Sequence, residues 1–482
     1  MKSKPMKSDA SKSKRKVEKN SGPTLSKNLR DKKNGETSQP VPRVQSAGVQ
    51  KRGGHGNILH YIYKSTLGQS LHSQMRQCLQ EPFVRSLLSY GFRDATFPFD
   101  RRITCLEWHP TYPTTLAVGS KGGDICLWDI QMTNKKTFIQ GMGAGDSVTD
   151  MKFNQLNPTQ LFTSSMGGTT ALRDFSGTTL TVFANTDTLN CWFCCVDVSV
   201  SRQMLVTGDN MGQLSILGLD GRKIFSDKLH KAKVTHAEFN SRCDWLLVTA
   251  SVDHTVKLWD LRNIKDKKSF LHDMPHQKPV NSAYFNPLDC SKLLTTDQYD
   301  QIRVYSSSDW SKPQNIIQHP HRQFQHLTPI KATWHPIYDL IVVGRYPDDR
   351  VCPGDQRTID IFDANTAALV CQLDDPVAPG IKSINKFNPM GDVIGSGMGV
   401  TVLVWDRDNS NSDQDRLEEA TSTSADSLRR QRRNQQRSSR DRGGPAVDVK
   451  LKKKMSSLEE SQTKAKTKTI CSKPKQAQMR KK

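Results

Sequence analysis

Few residues in this 482-residue chain stand at spacings that could do covalent chemistry. Cys191-Trp192-Phe193-Cys194 has the two-residue gap of a zinc half-site or a redox pair. However, large apolar residues surround it, alternation places it on a strand, and no second pair follows. No Gly-rich phosphate loop, HExxH or nucleophile elbow occurs, so neither catalysis nor a metal or other cofactor is expected. His and Asp are numerous but fall mostly at turns. His236, Ser251, Asp253, Thr255 and Trp259 are spaced for a buried polar network, a structural role, because a buried imidazole or carboxylate must be hydrogen-bonded. The segment with unusual binding chemistry is His319-Pro320-His321-Arg322-Gln323-Phe324-Gln325-His326-Leu327. One Phe beside Gln and His on a hairpin tip suits insertion into a base stack. The ring would unstack the bases while amide and imidazole fill hydrogen bonds in the minor groove. The alternative is a ring tucked into the surface of its own domain.

Such a tip needs a rigid platform, and the chain supplies one by repetition. An aromatic or apolar residue, usually with Asn or His-Pro after it, closes a strand at Trp108, Phe153, Val198, Phe239, Phe285, Trp334 and Phe387, at steps of 45, 45, 41, 46, 49 and 53 residues. Each is followed by a second apolar strand such as Leu246-Leu247-Val248-Thr249, and by a polar turn such as Val252-Asp253-His254. A third strand then ends in Trp-Asp at Trp128, Trp259 and Trp405. This is the spacing of WD repeats, with four short strands to a blade and blades set radially so that few edges stay open. Seven marks predict an all-β, seven-bladed WD-repeat β-propeller over residues 93–408. Insertions at 307–327 and 346–357 lengthen the last two steps, and propeller insertions lie on the rims, where binding residues concentrate.

Ahead of the propeller, residues 57–92 carry Ile58, Leu59, Tyr61, Ile62 and Leu67, then Leu71, Met75, Cys78, Leu79, Phe83, Leu87 and Leu88 at helical spacings. Gly68 can break the pattern and Pro82 implies a bend or a fresh start. A short helical pair is therefore expected, either packed on the propeller's own rim or holding a partner. The charge sits elsewhere. Lys plus Arg number 70 against 48 Asp plus Glu, a net +22. Residues 1–55 hold 15 basic and 4 acidic side chains, 409–482 hold 20 and 9, and the stretch between holds 35 of each. The tails 1–56 and 409–482 are too polar to bury a core and are expected to be disordered. Their basic clusters, such as Arg429-Arg430-Gln431-Arg432-Arg433 and Lys452-Lys453-Lys454, suit nuclear import and loose polyanion contact, or simply solvate the chain. A neutral propeller must hold a polyanion through a local patch. The 11 Cys form no regular framework, no apolar leader opens the chain and no run approaches ~18 apolar residues. A reducing compartment and no membrane association are expected.

On particular segments the chain resembles the family of the small WD-repeat subunit of the UV-damaged-DNA-binding complex. These are Phe99-Asp100-Arg101-Arg102, Val118-Gly119-Ser120-Lys121-Gly122-Gly123-Asp124, Val206-Thr207-Gly208-Asp209-Asn210, Thr249-Ala250-Ser251-Val252-Asp253 running on to Trp259-Asp260-Leu261-Arg262, Leu294-Thr295-Thr296-Asp297-Gln298, the loop 322–329, Ile341-Val342-Val343-Gly344-Arg345-Tyr346-Pro347 and Phe387-Asn388-Pro389-Met390-Gly391-Asp392. The resemblance spans roughly residues 57–408. Its WD pattern is weakly specific and its Phe324-Gln325-His326 hairpin highly so, while the basic tail after 409 lies outside it.

The resemblance implies lesion recognition in nucleotide excision repair, in the nucleus. Phe324, Gln325 and His326 would enter the minor groove of duplex DNA at a UV photolesion while the damaged dinucleotide swings out into a shallow pocket. A photodimer is already poorly stacked and paired, so extruding it costs less than extruding intact bases. Arg101, Lys121, Lys233 and Arg322 would hold phosphates, with Tyr346 near the kinked backbone. A second implied partner is the large damaged-DNA-binding subunit, the adaptor of a cullin-type ubiquitin ligase. Asp260 and Arg262 would dock it, the guanidinium forking onto acceptors, together with Ile58, Leu59, Ile62, Leu67, Leu79 and Phe83. The chain would then be an E3 substrate receptor and not an enzyme, with nucleosomes or histones among its partners.

Two other classes stay open on the residues alone. One is a chromatin- or histone-binding WD-repeat scaffold without lesion selectivity, its basic tails holding nucleosomal DNA. The other is a propeller hydrolase, for which no nucleophile–base constellation is present. A preference for irradiated over intact duplex separates the lesion reader from the scaffold, and turnover without partners would mark the enzyme.

Overall fold

A computed structural model describes residues 62, 63, 66, 72–132, 136–141, 143, 145–186, 190–324, 327–347 and 354–407, with 72–75 and 77 as backbone only. The chain divides into two compact units, Met1–Ser70 and Leu71–Lys482. In the first, only Ile62, Tyr63 and Thr66 are described, all three as helix. The expected disordered tails, 1–56 and 409–482, and the site candidates Ile58, Leu59, Leu67, Gln325 and His326 lie outside the described residues.

The described part of the second unit holds one helix and 28 strands, the strands arranged as seven antiparallel four-stranded sheets. The repeat marks fall where a blade needs them. Trp108, Phe153, Phe239, Phe285, Trp334 and Phe387 end the innermost strands Ile103–Trp108, Val148–Phe153, Val234–Phe239, Val280–Phe285, Thr333–Trp334 and Ile384–Phe387. Val198 is one residue short of the end of the remaining one, Phe193–Ser199. The chain is a seven-bladed propeller. Its core is sandwiched between blades: Val248, Ala250 and Leu258 of the fourth pack with Val280, Phe285 and Leu293 of the fifth. Hydroxyls stitch neighbouring inner strands together, Thr104 Oγ1 donating to Val148 O at 2.5 Å, Thr149 to Phe193 O at 2.9 Å and Thr235 to Val280 O at 2.7 Å. The ring closes because Tyr90–Thr96 pairs antiparallel with Thr401–Arg407, so the last blade draws on both ends of the domain. The propeller therefore begins at Tyr90, three residues before the expected 93.

Three expectations need correction. The helix α1 (His72–Leu87) runs through Pro82 without a fresh start. The lost amide bond is offset by Phe83, Val84 and Leu87, which pack on the last two blades. Second, the buried network of the fourth blade uses His230 and not His236. His230 Nδ1 meets Asp253 Oδ2 at 3.0 Å, its Nε2 meets Thr249 Oγ1 at 2.7 Å, and Trp259 Nε1 donates to the same hydroxyl at 2.8 Å. His236 instead packs edge-on against Tyr284, with ring centroids 4.3 Å apart. Third, much of the 307–327 insertion is regular structure, the ten-residue outer strand Asp309–Gln318. No helix among the described residues is long and apolar enough to cross a membrane.

Candidate nucleic-acid interface

Antiparallel order sorts the connections. Links between the first and second, and the third and fourth, strands of each blade emerge at one end of the propeller. Turns between the second and third strands, and the links from blade to blade, emerge at the other. Arg101 and Lys233 precede the innermost strands of the first and fourth blades, and Lys121 is in the second-to-third turn of the first. Arg322 and Phe324 are in the link into the sixth blade, and Tyr346 follows that blade's second strand, Leu340–Gly344. All six lie at the same end. Arg101 crosses the Lys121-Gly122 turn so closely that a Cβ on Gly122 would come within 3.2 Å of its Cδ. Arg101 and Lys121 thus sit together on one blade, and the half-buried Lys233 three blades away around the ring.

The link into the sixth blade has a buried root and an exposed tip. His319 and His321 are buried, their Nδ1 atoms 3.1 Å apart. His321 Nε2 lies 3.2 Å from Asp297 Oδ1, and His319 Nε2 lies 3.3 Å from Asp360. Burial pushes His319 down to about 4, against the pull of Asp360, so its ring is neutral at pH 7. Burial alone would raise the Asp297 carboxyl, but His321 and the N–H groups of Gln301 and Tyr299 outweigh it and hold it below its usual range. Backbone bonds tie the root on both sides: Tyr346 N donates to Pro320 O at 2.8 Å, and Gln323 N to Gln298 O at 2.8 Å. Beyond the tip, Thr328 Oγ1 donates to Ile103 O at 2.6 Å, anchoring the returning limb to the first blade. The turn itself closes with Leu327 N donating to Phe324 O at 3.0 Å. Gln323 Nε2 adds bonds to Phe324 O at 3.1 Å and to Leu327 O at 3.2 Å. At the head of this turn, Phe324 is 55% exposed. The ring has not been drawn into the core, whereas Tyr346 and Leu327 pack against the core between the fifth and sixth blades.

Sequence reasoning missed other residues at this end. Met166 and Met211 are exposed at the second-to-third turns of the second and third blades, and Trp192, half-buried, precedes the third blade's inner strand. Each offers apolar side-chain surface of the kind that packs on a flat ring. The available signal was Met in turns where the first and fourth blades carry Lys121 and Asp253. Tyr299 and Lys278 also lie at this end, in the fifth blade.

The opposite end carries α1 and Arg262. Arg76 Nη2 reaches Asp339 at 3.2 Å and Gln80 Nε2 donates to Asp363 at 2.9 Å. Phe83 packs among His335, Tyr338 and Phe387, with centroid distances of 4.7, 5.0 and 6.3 Å, so its ring is engaged within the chain. Leu79, one turn earlier on α1, is 47% exposed. Arg262 forks onto Asp260, Nε to Oδ1 at 2.9 Å and Nη2 to Oδ2 at 2.8 Å, and its guanidinium lies 4.7 Å from the Trp245 ring centroid. That fork holds the Asp260 carboxyl below its usual range. The Arg262 side chain is nonetheless 58% exposed, so an edge of the group faces outward.

Comparison with known proteins gives the following. Residues 95–129 and 221–260 match the family described as WD domain, G-beta repeat. The chain is 69% identical over 356 residues to DNA damage-binding protein 2 of Danio rerio, covering 74% of this chain and 72% of that protein. To DNA damage-binding protein 2 of Mus musculus it is 53% identical over 346 residues, 71% of this chain and 80% of that one. Protein DAMAGED DNA-BINDING 2 of Arabidopsis thaliana is 30% identical over 312 residues, 62% of this chain and 56% of that protein.

Proposed function

The chain belongs to the DNA damage-binding protein 2 family of WD-repeat proteins, and from that premise we propose that it recognises UV photolesions in duplex DNA. The observation that carries the reading is the hairpin, an exposed Phe324 on a root locked by buried His319, His321 and Asp297. A wedge must be stiff at its base and exposed at its tip, and the bonded root and the 55% exposure of Phe324 support that reading. Phe324 enters the minor groove with Gln325 and His326, and occupies the gap left when the damaged dinucleotide flips out. The apolar surface of Met166, Trp192 and Met211 at the same end supports a place for extruded bases. Arg101 and Lys121 from one side, Lys233 and Arg322 from the other, hold the phosphates, with Tyr346 beside the bend. Selectivity then comes from the smaller cost of extruding a poorly stacked dimer, on the order of a few kcal/mol, and not from base-edge contacts.

The same premise extends to the opposite end. There Asp260, the outward edge of Arg262 and Leu79 on α1 contact the large damaged-DNA-binding subunit, and Ile58, Leu59, Ile62 and Leu67, earlier in the sequence, contact that same partner. Phe83 contributes by fixing α1 to the propeller. Because DNA and adaptor use opposite ends, one chain can bind both, and it serves in the nucleus as substrate receptor of a cullin-type E3 ligase in nucleotide excision repair, with nucleosomal DNA and histones within reach. The test is a binding titration against one duplex with and without a single photodimer. Tighter binding to the damaged duplex is expected. Equal affinity would favour a general chromatin scaffold instead.

A further inference from the structure

We propose that Lys331 donates a hydrogen bond to a carbonyl oxygen of the extruded pyrimidines, so that the limb carrying the wedge also holds the bases it displaces. The proposal rests on reading this end of the propeller as the DNA face and the hairpin as the wedge. Lys331 closes the returning limb of the hairpin, two residues before the inner strand Thr333–Trp334 of the sixth blade. Its neighbours Ile330 and Ala332 are buried in the core between the fifth and sixth blades. Lys331 between them faces the other way, toward the central channel, and is half-buried. Counted back three residues from the strand-closing mark, it holds the place that Cys105, Asp150, Cys195, His236 and Ser282 take in other blades. The limb is fixed on both sides. Thr328 Oγ1 donates to Ile103 O of the first blade at 2.6 Å. From the fifth blade, Asn281 Nδ2 donates to Ile330 O at 3.1 Å, and Thr296 Oγ1 accepts from Ala332 N at 3.0 Å.

The charge of Lys331 is felt across the channel. Burial pushes up the thiols of Cys105 in the first blade and of Cys194 and Cys195 in the third, and the Lys331 charge works against it. Burial pushes His236 of the fourth blade well below its usual range, and the same charge adds to that. An ammonium of the sixth blade that acts on the inner strands of three others lies inside their ring. Cys194 and Cys195 come two and three residues after Trp192, so the cation stands near one of the apolar side chains offered to extruded bases. Among the described residues no hydrogen bond or ion pair to the Lys331 ammonium forms. The carboxylate at the same place in the second blade, Asp150, accepts from Met151 N at 3.0 Å and Val196 N at 3.2 Å. Neither ring nitrogen of His236 is bonded. A half-buried charge without a partner is costly, and at this end the acceptors are those that DNA brings. The phosphates stay with Arg101, Lys121 and Lys233, whereas the bases are what swing inward. Every pyrimidine carries a carbonyl oxygen at C2. Lys331 therefore stabilises the extruded state as such and leaves the choice of lesion to the cost of extrusion.

The experiment titrates the full chain against three duplexes of one sequence: intact, with one photodimer, and with two abasic residues in place of the dimer. The last keeps the phosphates and lacks the bases. Lys331→Met removes the donor and keeps an unbranched side chain. Its affinity for the photodimer duplex should fall about ten- to 100-fold, as for a lost hydrogen bond to a charged group. Its affinity for the abasic and intact duplexes should stay as in the parent. An equal fall on the abasic duplex makes the acceptor a phosphate, and an equal fall on all three makes Lys331 part of the general basic field. Either result overturns the carbonyl contact. Should Lys331→Met melt below the parent, Lys331→Gln, which keeps a polar end, is read in its place and should show the same pattern with a smaller fall. A parent that binds photodimer and intact duplex alike overturns the lesion reading and this contact with it. A parent that prefers the photodimer, beside a folded variant that keeps the full preference, overturns the contact alone.

Discussion

Asp297 is the residue on which the hairpin's order depends, so its removal makes a demanding prediction. It ends the second strand of the fifth blade and is 1% exposed. Its Oδ1 accepts the N–H groups of Tyr299, Asp300 and Gln301 at 2.8, 2.9 and 3.0 Å, and lies 3.2 Å from His321 Nε2. Asp297→Ala strips the acceptor from three backbone donors and removes the carboxylate beside His321, whose Nε2 keeps the Asp297 carbonyl at 3.1 Å. A buried donor left without a partner costs about 1–3 kcal/mol. The turn at Tyr299 lies near solvent and water can reach part of it, which brings the expected loss to about 3 kcal/mol and not the full sum. The melting temperature should fall by several degrees, and the loss is concentrated at the hairpin's root. The tip's contribution to lesion binding is bounded by base–aromatic stacking, about 1–3 kcal/mol. The damaged-to-intact affinity ratio should therefore fall, by at most about five- to 150-fold. Asp297→Asn keeps the Oδ1 acceptor and should retain most of the melting temperature. The assay pairs a duplex titration with a thermal melt for parent, Ala and Asn forms. An Ala form that keeps both its melt and its full ratio would refute the claim that this root orders the tip.

Other outcomes follow from the same geometry. Thr249→Val leaves Trp259 Nε1 and His230 Nε2 without their shared hydroxyl in a buried blade. It should cost about 2–4 kcal/mol in a denaturation measurement, with the damaged-to-intact ratio unchanged; an unaltered melt would contradict the network's role. Lys233→Glu places a carboxylate on the proposed phosphate path of a propeller that nets no charge. Affinity for both duplexes should drop at low salt, and unchanged affinity would remove Lys233 from that path. Arg262→His gives up the fork on Asp260 and the stacking on Trp245. It should weaken recovery of the adaptor complex while DNA titrations stay as in the parent, and normal adaptor binding would end the docking role.

Most of the blade count was legible because each inner strand ends in a large apolar residue that must pack between neighbours, and that demand recurs at every repeat. The polar network was placed in the right blade with the wrong histidine. His236 lies inside the strand, where the apolar–polar pattern draws attention, whereas His230 sits six residues earlier in a link, and only the fold carries it to Thr249 and Asp253. Pro82 reads locally as a bend or a fresh start, and α1 continues through it without a fresh start because its apolar face has a partner surface that no local rule contains. The hairpin was visible as composition: one Phe among Gln, His and Arg. Its stiffness was not, since Asp297 and Asp360 come from strands 24 residues before and 39 residues after His321. The Met166 and Met211 turns carry no local signal, because a turn is read for its Gly and Asp, and an apolar residue there gains meaning only from its exposure.

The central claim is that discrimination resides in the hairpin tip. The most direct measurement is the damaged-to-intact affinity ratio of the variant carrying Phe324→Ala, Gln325→Ala and His326→Ala together, read beside its thermal melt. Without ring, amide or imidazole, nothing fills the gap when the dinucleotide flips, and the damaged complex should lose about 1–3 kcal/mol while the intact complex loses much less. The account predicts a collapsed ratio with the melt unchanged, because Phe324 is exposed and not part of the core. A normally folded variant that keeps the parent's full preference for the photodimer would contradict it and place the reader of damage elsewhere on the propeller.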